Sequence, residues 1–593
     1  MLVPPRSALP TQRRAWLVAA LAVSAALGGL RSLPAGPGPA AAAPAQATPA
    51  ALLPNLQTNG VKGARSGFGP AGPSGIDGFG YSAVELLNLG QQSADIEVEL
   101  KSFDVREVVR RRVAARGVGL VSLGAESALT IGNHAAFIRA GQPLGVVART
   151  VWENSGAAVA YAAPDVGTDL VLPLAARDVL SLTTNLYVQD AGTLEGDEEN
   201  KVKLELFDND SGELLKSIEV FLEPGGVTAY DLAFDIARFG DLPDNAADGY
   251  LGAVRFRADA PIAVLAENDE MTGTGASAYG ARAAGRAAAV QYLPVVRANM
   301  LGDSLIGIHN RENTAVDVTL TLRGAADSPS GANQTYAQSF RVGPRGAAFV
   351  DLGPRRRGTV AAPAAPRGSG VNRGFYGSAT VEAGGRVLAA VIESASDGTA
   401  VRTSAAYAAY GPDDLGLGFV VPRVRAAADG KTVVAVHNPG ASDASVSTTY
   451  DAGGQASAGP AIAVPAGTMR LVTLDARAAG KTATLASDAP VAVVAYDTRI
   501  ASAADWGQWG VDTNAYWPPR STAPDAAPTT PASPTATRTP AATGSPTATA
   551  TPSVSPVAAT ATPTTPSATP PTATPERPAI YLPAGLKGAP LGR

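Results

Sequence analysis

The sequence predicts an all-β chain built as four β-sandwich units in tandem. A set of short motifs recurs four times in the same order. The segments between the motifs alternate apolar and polar residues, the signature of half-buried strands. Each repeat is about 120 residues long, the size of a sandwich that can close by itself and about twice that of a propeller blade.

The 593 residues exceed what one core organises, so several domains are expected. Only 17% are charged and the net charge is −5, which gives no general attraction to nucleic acid or to an anionic membrane. There is no cysteine, which excludes disulfides, a thiolate nucleophile and Cys-ligated zinc. The N-terminus carries Arg6, Arg13 and Arg14, then the apolar run "AWLVAALAVSAALGGL", then small residues. That order predicts a secretory signal peptide over residues 1–47, cleaved near Ala45 or Ala47. The run is shorter than the ~20 residues of a membrane span, so membrane contact is expected only through this segment where it stays uncleaved.

The four units are expected at residues 51–165, 166–288, 289–415 and 416–520. A first motif, "LLPNLQ", "LVLPLAAR", "QYLPVVR" and "FVVPRVR", places Pro54, Pro173, Pro294 and Pro422 at intervals of 119, 121 and 128. Proline without an N–H suits an edge or the start of a strand. A polar residue follows: Asn88, Gln189, Asn310 and Asn438, each ending an apolar stretch where Asn can bond its own backbone in a turn. Alternating strands come next ("ADIEVEL", "KVKLELF", "AVDVTLTL", "ASVSTTY"), then a Gly-containing turn ("VAARGVG", "LEPGGVT", "VGPRGAA", "VPAGTMR"). A small or polar turn then leads into an apolar strand ("AGQPLGVVA", "ADAPIAVLA", "AGGRVLAAVIE", "SDAPVAVVAYD").

This strand rhythm over residues 51–520 resembles tandem immunoglobulin-like or fibronectin-like sandwiches, although the Cys–Trp–Cys marks of true immunoglobulin domains are missing. The resemblance implies separate sandwiches in a rod, each closing its own core. Residues 521–577 are dominated by Thr, Pro, Ala and Ser. They cannot bury enough surface to fold, and are expected to form a disordered, semi-stiff stalk on the order of 100 Å or longer. A short tail, residues 578–593, contains "IYLPAGLK", an echo of "QYLPVVR".

Four sites carry candidate chemistry. Gly302-Asp303-Ser304-Leu305 spells the motif of a family of serine esterases. Repeat alignment pairs Ser304 with Thr432 in a turn, and no Asp-x-x-His supplies a base and orienter. His309 and His437 fall at equivalent repeat positions, as scaffold residues would, so no catalytic residue is expected. In "FDNDSGE", Asp208, Asp210 and Glu213 could offer carboxylates to calcium, helped by the acidic loop "EGDEEN". Asn-Asp-Ser-Gly is equally an ordinary hairpin turn. The basic runs Arg110-Arg111-Arg112 and Arg355-Arg356-Arg357 lack interleaved aromatics for stacking bases and read as solvated faces. Trp506, Trp509 and Trp517 form an aromatic patch that could stack sugar rings or close the last unit.

These features predict a non-enzymatic, secreted or cell-surface structural or adhesion-type protein. Its expected partners are a cell-envelope or matrix polymer or other surface proteins, and not nucleic acid. The alternative is a carbohydrate-binding accessory protein using the Trp patch.

Overall fold

The computed structural model describes residues 51–61 and, apart from short internal gaps, 79–498. The expected signal peptide, the Thr/Pro-rich stretch, the tail and the Trp patch lie outside the described residues. The described residues form an all-β fold with four eight-stranded sheets, one per unit. In unit 1 the strands are β1 (Ala51–Val61), β2 (Phe79–Asn88), β3 (Ala94–Lys101), β4 (Arg106–Val113), β5 (Val118–Ser122), β6 (Gly132–Ala140), β7 (Leu144–Trp152) and β8 (Ala158–Ala162).

They pair in the order β4-β3-β6-β1 and β5-β2-β7-β8, all antiparallel. We call these the first and second layers; a short β1–β2 pairing joins them. In the other units the counterparts of β6 and β7 fuse into single long strands, Tyr250–Glu270, Phe375–Ser396 and Thr482–Thr498. The β2–β5 and β3–β6 pairs match immunoglobulin order, but the outer strands are exchanged: the first strand pairs with the sixth and the seventh with the second.

The recurrent proline sits in a bulge. Pairing slips between Leu53 and Leu56 in unit 1, between Leu172 and Ala175 in unit 2, and between Leu293 and Val296 in unit 3. The bulge leaves the residue after each proline without its ladder bonds. A buried tyrosine repairs the loss. The hydroxyls of Tyr161, Tyr279 and Tyr407 donate to the carbonyls of Asn55, Leu174 and Val295. The same hydroxyls accept from the N–H groups of these residues at 3.3, 3.2 and 3.3 Å. Burial drives all three phenols well above the ordinary tyrosine range, so they remain neutral donors.

The Gly-containing turn recurs as well. Its third residue has positive φ in every unit: Arg116 (56°), Gly225 (65°), Arg345 (57°) and Gly467 (64°). An i→i+3 bond closes each turn, for example Gly226 N–H to Glu223 O at 2.8 Å. With Pro224 and Pro344 in the second place, this is type II chemistry, in which glycine is favoured third.

Burial differs between strands. β3 and its unit 3 counterpart Val316–Gly324 alternate buried and open positions, as a strand with one wet face does. β1, β2, β6 and β7 and their counterparts are buried on both faces. Their inner residues, such as Leu53, Leu86 and Ile138 in unit 1, fill the unit's own core. Their outer residues pack on the next unit.

Leu265, at the centre of the second layer of unit 2, joins the unit 1 cluster with Tyr187, Ala276 and Ala278. Ala390 of unit 3 joins the unit 2 cluster with Leu305, Phe349 and Ile392. Val494 of unit 4 joins the unit 3 cluster with Val433, Ala435 and Tyr496. Val147 and Ala160 of unit 1 join the unit 4 cluster with Phe419 and Val421. Strand register makes Val147, Leu265, Ala390 and Val494 the same position in the four units.

The units therefore close head to tail into a ring. The expectation of a rod of separately closed sandwiches is corrected: its ends meet, and the four units fall in one compact body. Leu305, Phe349 and Ile392 alone contribute roughly 5–9 kcal/mol of apolar burial as an upper bound at one junction, too much for a loosely jointed string.

Candidate functional site

Ser304 lies on the strand Gly302–Asn310 and is fully buried. Its hydroxyl accepts the N–H of Arg297 at 2.8 Å and donates to Glu393 Oε1 at 3.1 Å. Glu393 is ion-paired with Arg297 at 3.4 Å, both side chains about 95% buried. The arrangement recurs. Ser82 accepts from Gln57, Thr184 from Ala176 and Thr432 from Arg425, at 2.7, 2.9 and 2.8 Å. In every unit the donor stands three residues after the first-motif proline. The esterase-like tetrapeptide is one copy of a repeated scaffold bond.

The polar residue after β2 is a second scaffold device. Asn310 Nδ2 donates to the carbonyls of Thr314 and Gly343, both at 2.8 Å, and Oδ1 accepts from Glu312 N–H at 2.8 Å. Asn88 and Asn438 bind equivalent groups. In unit 2 the device is Asp190, not Gln189. The N–H of Asp190 bonds Gly226 O as that of Asn88 bonds Gly117 O, and its carboxylate accepts from Gly225 N–H and Asn200 Nδ2 at 2.8 Å. Asp has no amide donor of its own, and Asn200, which bonds it, also donates to Ala260 O at 3.1 Å. Gln189 instead reaches across the junction, donating to Ala136 O at 3.2 Å.

That shift places Gln189 level with Leu87, His309 and His437. Both histidines are buried. Burial above all, with Arg311 beside one and Arg323 beside the other, pushes each down to about 3. They are neutral at physiological pH. His309 Nδ1 bonds Gly346 O at 3.1 Å, and His437 packs edge-on against Tyr292, 5.9 Å between centroids.

In the candidate calcium loop, the carboxylate of Asp208 is taken up locally. Its Oδ2 accepts from the N–H and hydroxyl of Ser211 at 2.8 and 2.9 Å. Glu213 closes the hairpin through its backbone, its carbonyl accepting from Asp208 N–H at 2.8 Å. Asp210 lies outside the described residues. The loop also docks unit 3: Asn209, buried, accepts from Ala347 N–H at 3.1 Å. No group of three metal-ligating side chains occurs among the described residues. On β4, Arg110 pairs with Glu97 at 2.9 Å and Arg112 faces Asp95 at 3.9 Å, an exposed cross-strand ladder. Arg355, Arg356 and Arg357, like the three tryptophans, lie outside the described residues.

Sequence reasoning missed a polar cleft at the junction of units 2 and 3. Phe207, Arg255, His309, Arg311, Asn313 and Arg345 enclose about 230 Å³. Asp169 binds Arg255 through two bonds of 2.8 and 2.7 Å and also meets Arg311 at 3.3 Å. Burial alone would raise the Asp169 carboxyl, but the Arg255 bonds and the Arg311 charge hold it below the ordinary range. Arg311 is disfavoured by burial and by Arg255, which lower its pKa. The three arginines are far apart in sequence and isolated, so no run announced them.

No known protein family matches the chain, and no curated protein matches it.

Proposed function

We propose that the chain is a non-enzymatic, secreted or cell-surface structural protein of adhesion type. In this reading residues 1–47 direct export, the units are distant variants of the immunoglobulin-like sandwich, and the Thr/Pro-rich segment spaces the ring from its attachment point. The observation that carries it is the use of the chemically capable side chains. Ser304 has a hydroxyl counterpart bonded in the same way in every unit, and His437, like His309, is a buried neutral ring. A closed ring of sandwiches displays loops on a stiff frame, and display with several weak contacts gains through effective concentration.

The test is location. Protease treatment of intact cells should degrade the chain, and fractionation should find it outside the cytoplasm; a cytoplasmic, protected chain overturns the reading. Deleting residues 578–593 should release it from the surface fraction or alter its self-association. Binding on a glycan array that disappears in Trp506→Ala or Trp509→Ala would move the assignment to a carbohydrate-binding accessory protein.

A further inference from the structure

We propose that the cleft between units 2 and 3 binds a doubly charged oxyanion, sulfate or phosphate, either free or as an ester on a polymer. Three guanidiniums line it and Asp169 is the carboxylate that faces them, leaving two positive charges in excess. The neighbouring cations are already matched: Arg257 pairs with Glu205 at 3.1 Å and Arg386 with Glu312 at 2.8 Å. The surplus therefore belongs to the cleft. Arg311 is 12% exposed and Arg255 19%, so both have given up much of their water while sharing one carboxylate. Planar guanidiniums that converge in a partly dry recess favour a multidentate oxyanion.

The repeat provides an internal control. Strand register places Phe137, Thr380 and Thr484 where unit 2 has Arg255. The residue after the Asn/Asp device is Leu89, Ala191 and Pro439 where unit 3 has Arg311. In the turn, Arg345 stands where units 2 and 4 have Gly225 and Gly467, while unit 1 has Arg116. The scaffold closes its other junctions without counterparts of Arg255 and Arg311, so the convergence of three arginines is particular to this one. Arg345 adopts φ of 57°, a left-handed conformation disfavoured for a residue with a side chain. Its Nε donates to Asn313 Oδ1 at 2.8 Å, which fixes the guanidinium at the cleft mouth.

The test is calorimetry on the full secreted chain at low ionic strength, titrated with sodium sulfate, inorganic phosphate and dextran sulfate. Arg345→Gly is the variant, because glycine already serves that turn in two units and the fold is retained; a thermal melt confirms it. The expected result is binding of at least one inorganic anion, weakened about tenfold or more in Arg345→Gly. Dextran sulfate weakened in parallel identifies a polymer ester as the source, whereas inorganic binding without polymer binding identifies the free ion. No heat with any probe, or binding indifferent to Arg345→Gly, overturns the proposal. Neither outcome bears on the scaffold reading as it rests on Ser304, its counterparts and His437, none of which lines the cleft.

Discussion

Replacing Ser304 with alanine separates a scaffold hydroxyl from a nucleophile. The substitution removes one small group but strands two partners. The N–H of Arg297, in a residue 3% exposed, loses its acceptor, and Glu393, 4% exposed, loses a donor. Leaving a buried donor unsatisfied costs about 1–3 kcal/mol, with bonds to a charged group towards the upper end. Ser304→Thr keeps the hydroxyl, as Thr184 and Thr432 do at the equivalent position, and is expected to retain most of the stability. The assay is denaturant unfolding followed by circular dichroism, run beside hydrolysis of a chromogenic short-chain ester. The expected result is a lower midpoint for Ser304→Ala, a near-normal one for Ser304→Thr, and the same background hydrolysis for all three proteins. Ester hydrolysis by the parent that is lost in Ser304→Ala, at unchanged stability, would refute the reasoning.

Two further outcomes follow from the junctions. His309 and His437 take up protons near pH 6.5 when unfolded but only at about 3 when folded. The unfolded chain thus binds more protons between these values, and stability falls as pH falls, by at most about 3 kcal/mol per pH unit for the pair. His437→Leu, which installs the unit 1 counterpart Leu87, should halve the histidine share of that slope in stability measured from pH 7 to pH 4; an unchanged slope contradicts the buried neutral ring. A Cβ on Gly307 would lie 2.8 Å from Leu174 Cβ and 3.0 Å from Pro173 O, across the junction of units 2 and 3. Gly307→Ala should cost about 1–3 kcal/mol by overpacking, read as a lower unfolding midpoint, and no change would mean the two units are not in contact there.

The strands and the repeat were legible because alternation and turn residues act locally. "AVDVTLTL" could be read as a strand with one wet face, and the structure shows that pattern in Val316–Gly324. The ring was also written in the sequence, in a signal easily assigned elsewhere. "LLPN", "HAAFI" and "LGVVA" are apolar on both faces, which a sandwich core does not require. Leu52 and Phe137 point outward in unit 1 and meet Ala263 of unit 2. A continuous apolar run marks a strand buried on both sides, and here the second side is another unit. The tyrosine latch was hidden because Tyr161, Tyr279 and Tyr407 stand alone among small residues, and their role depends on a bulge about 110 residues away. The cleft could not have been read at all: Arg255, Arg311 and Arg345 converge only because the ring brings unit 3 onto unit 2.

Small-angle scattering on the chain without residues 1–47 and 521–593 tests the closed ring most directly. A compact body of that length has a radius of gyration of about 23 Å, whereas four sandwiches end to end give roughly twice that. The ring predicts a value within a few ångströms of the compact figure, unchanged on dilution. A value near the extended figure, with the elongated distance distribution of a rod, would contradict it.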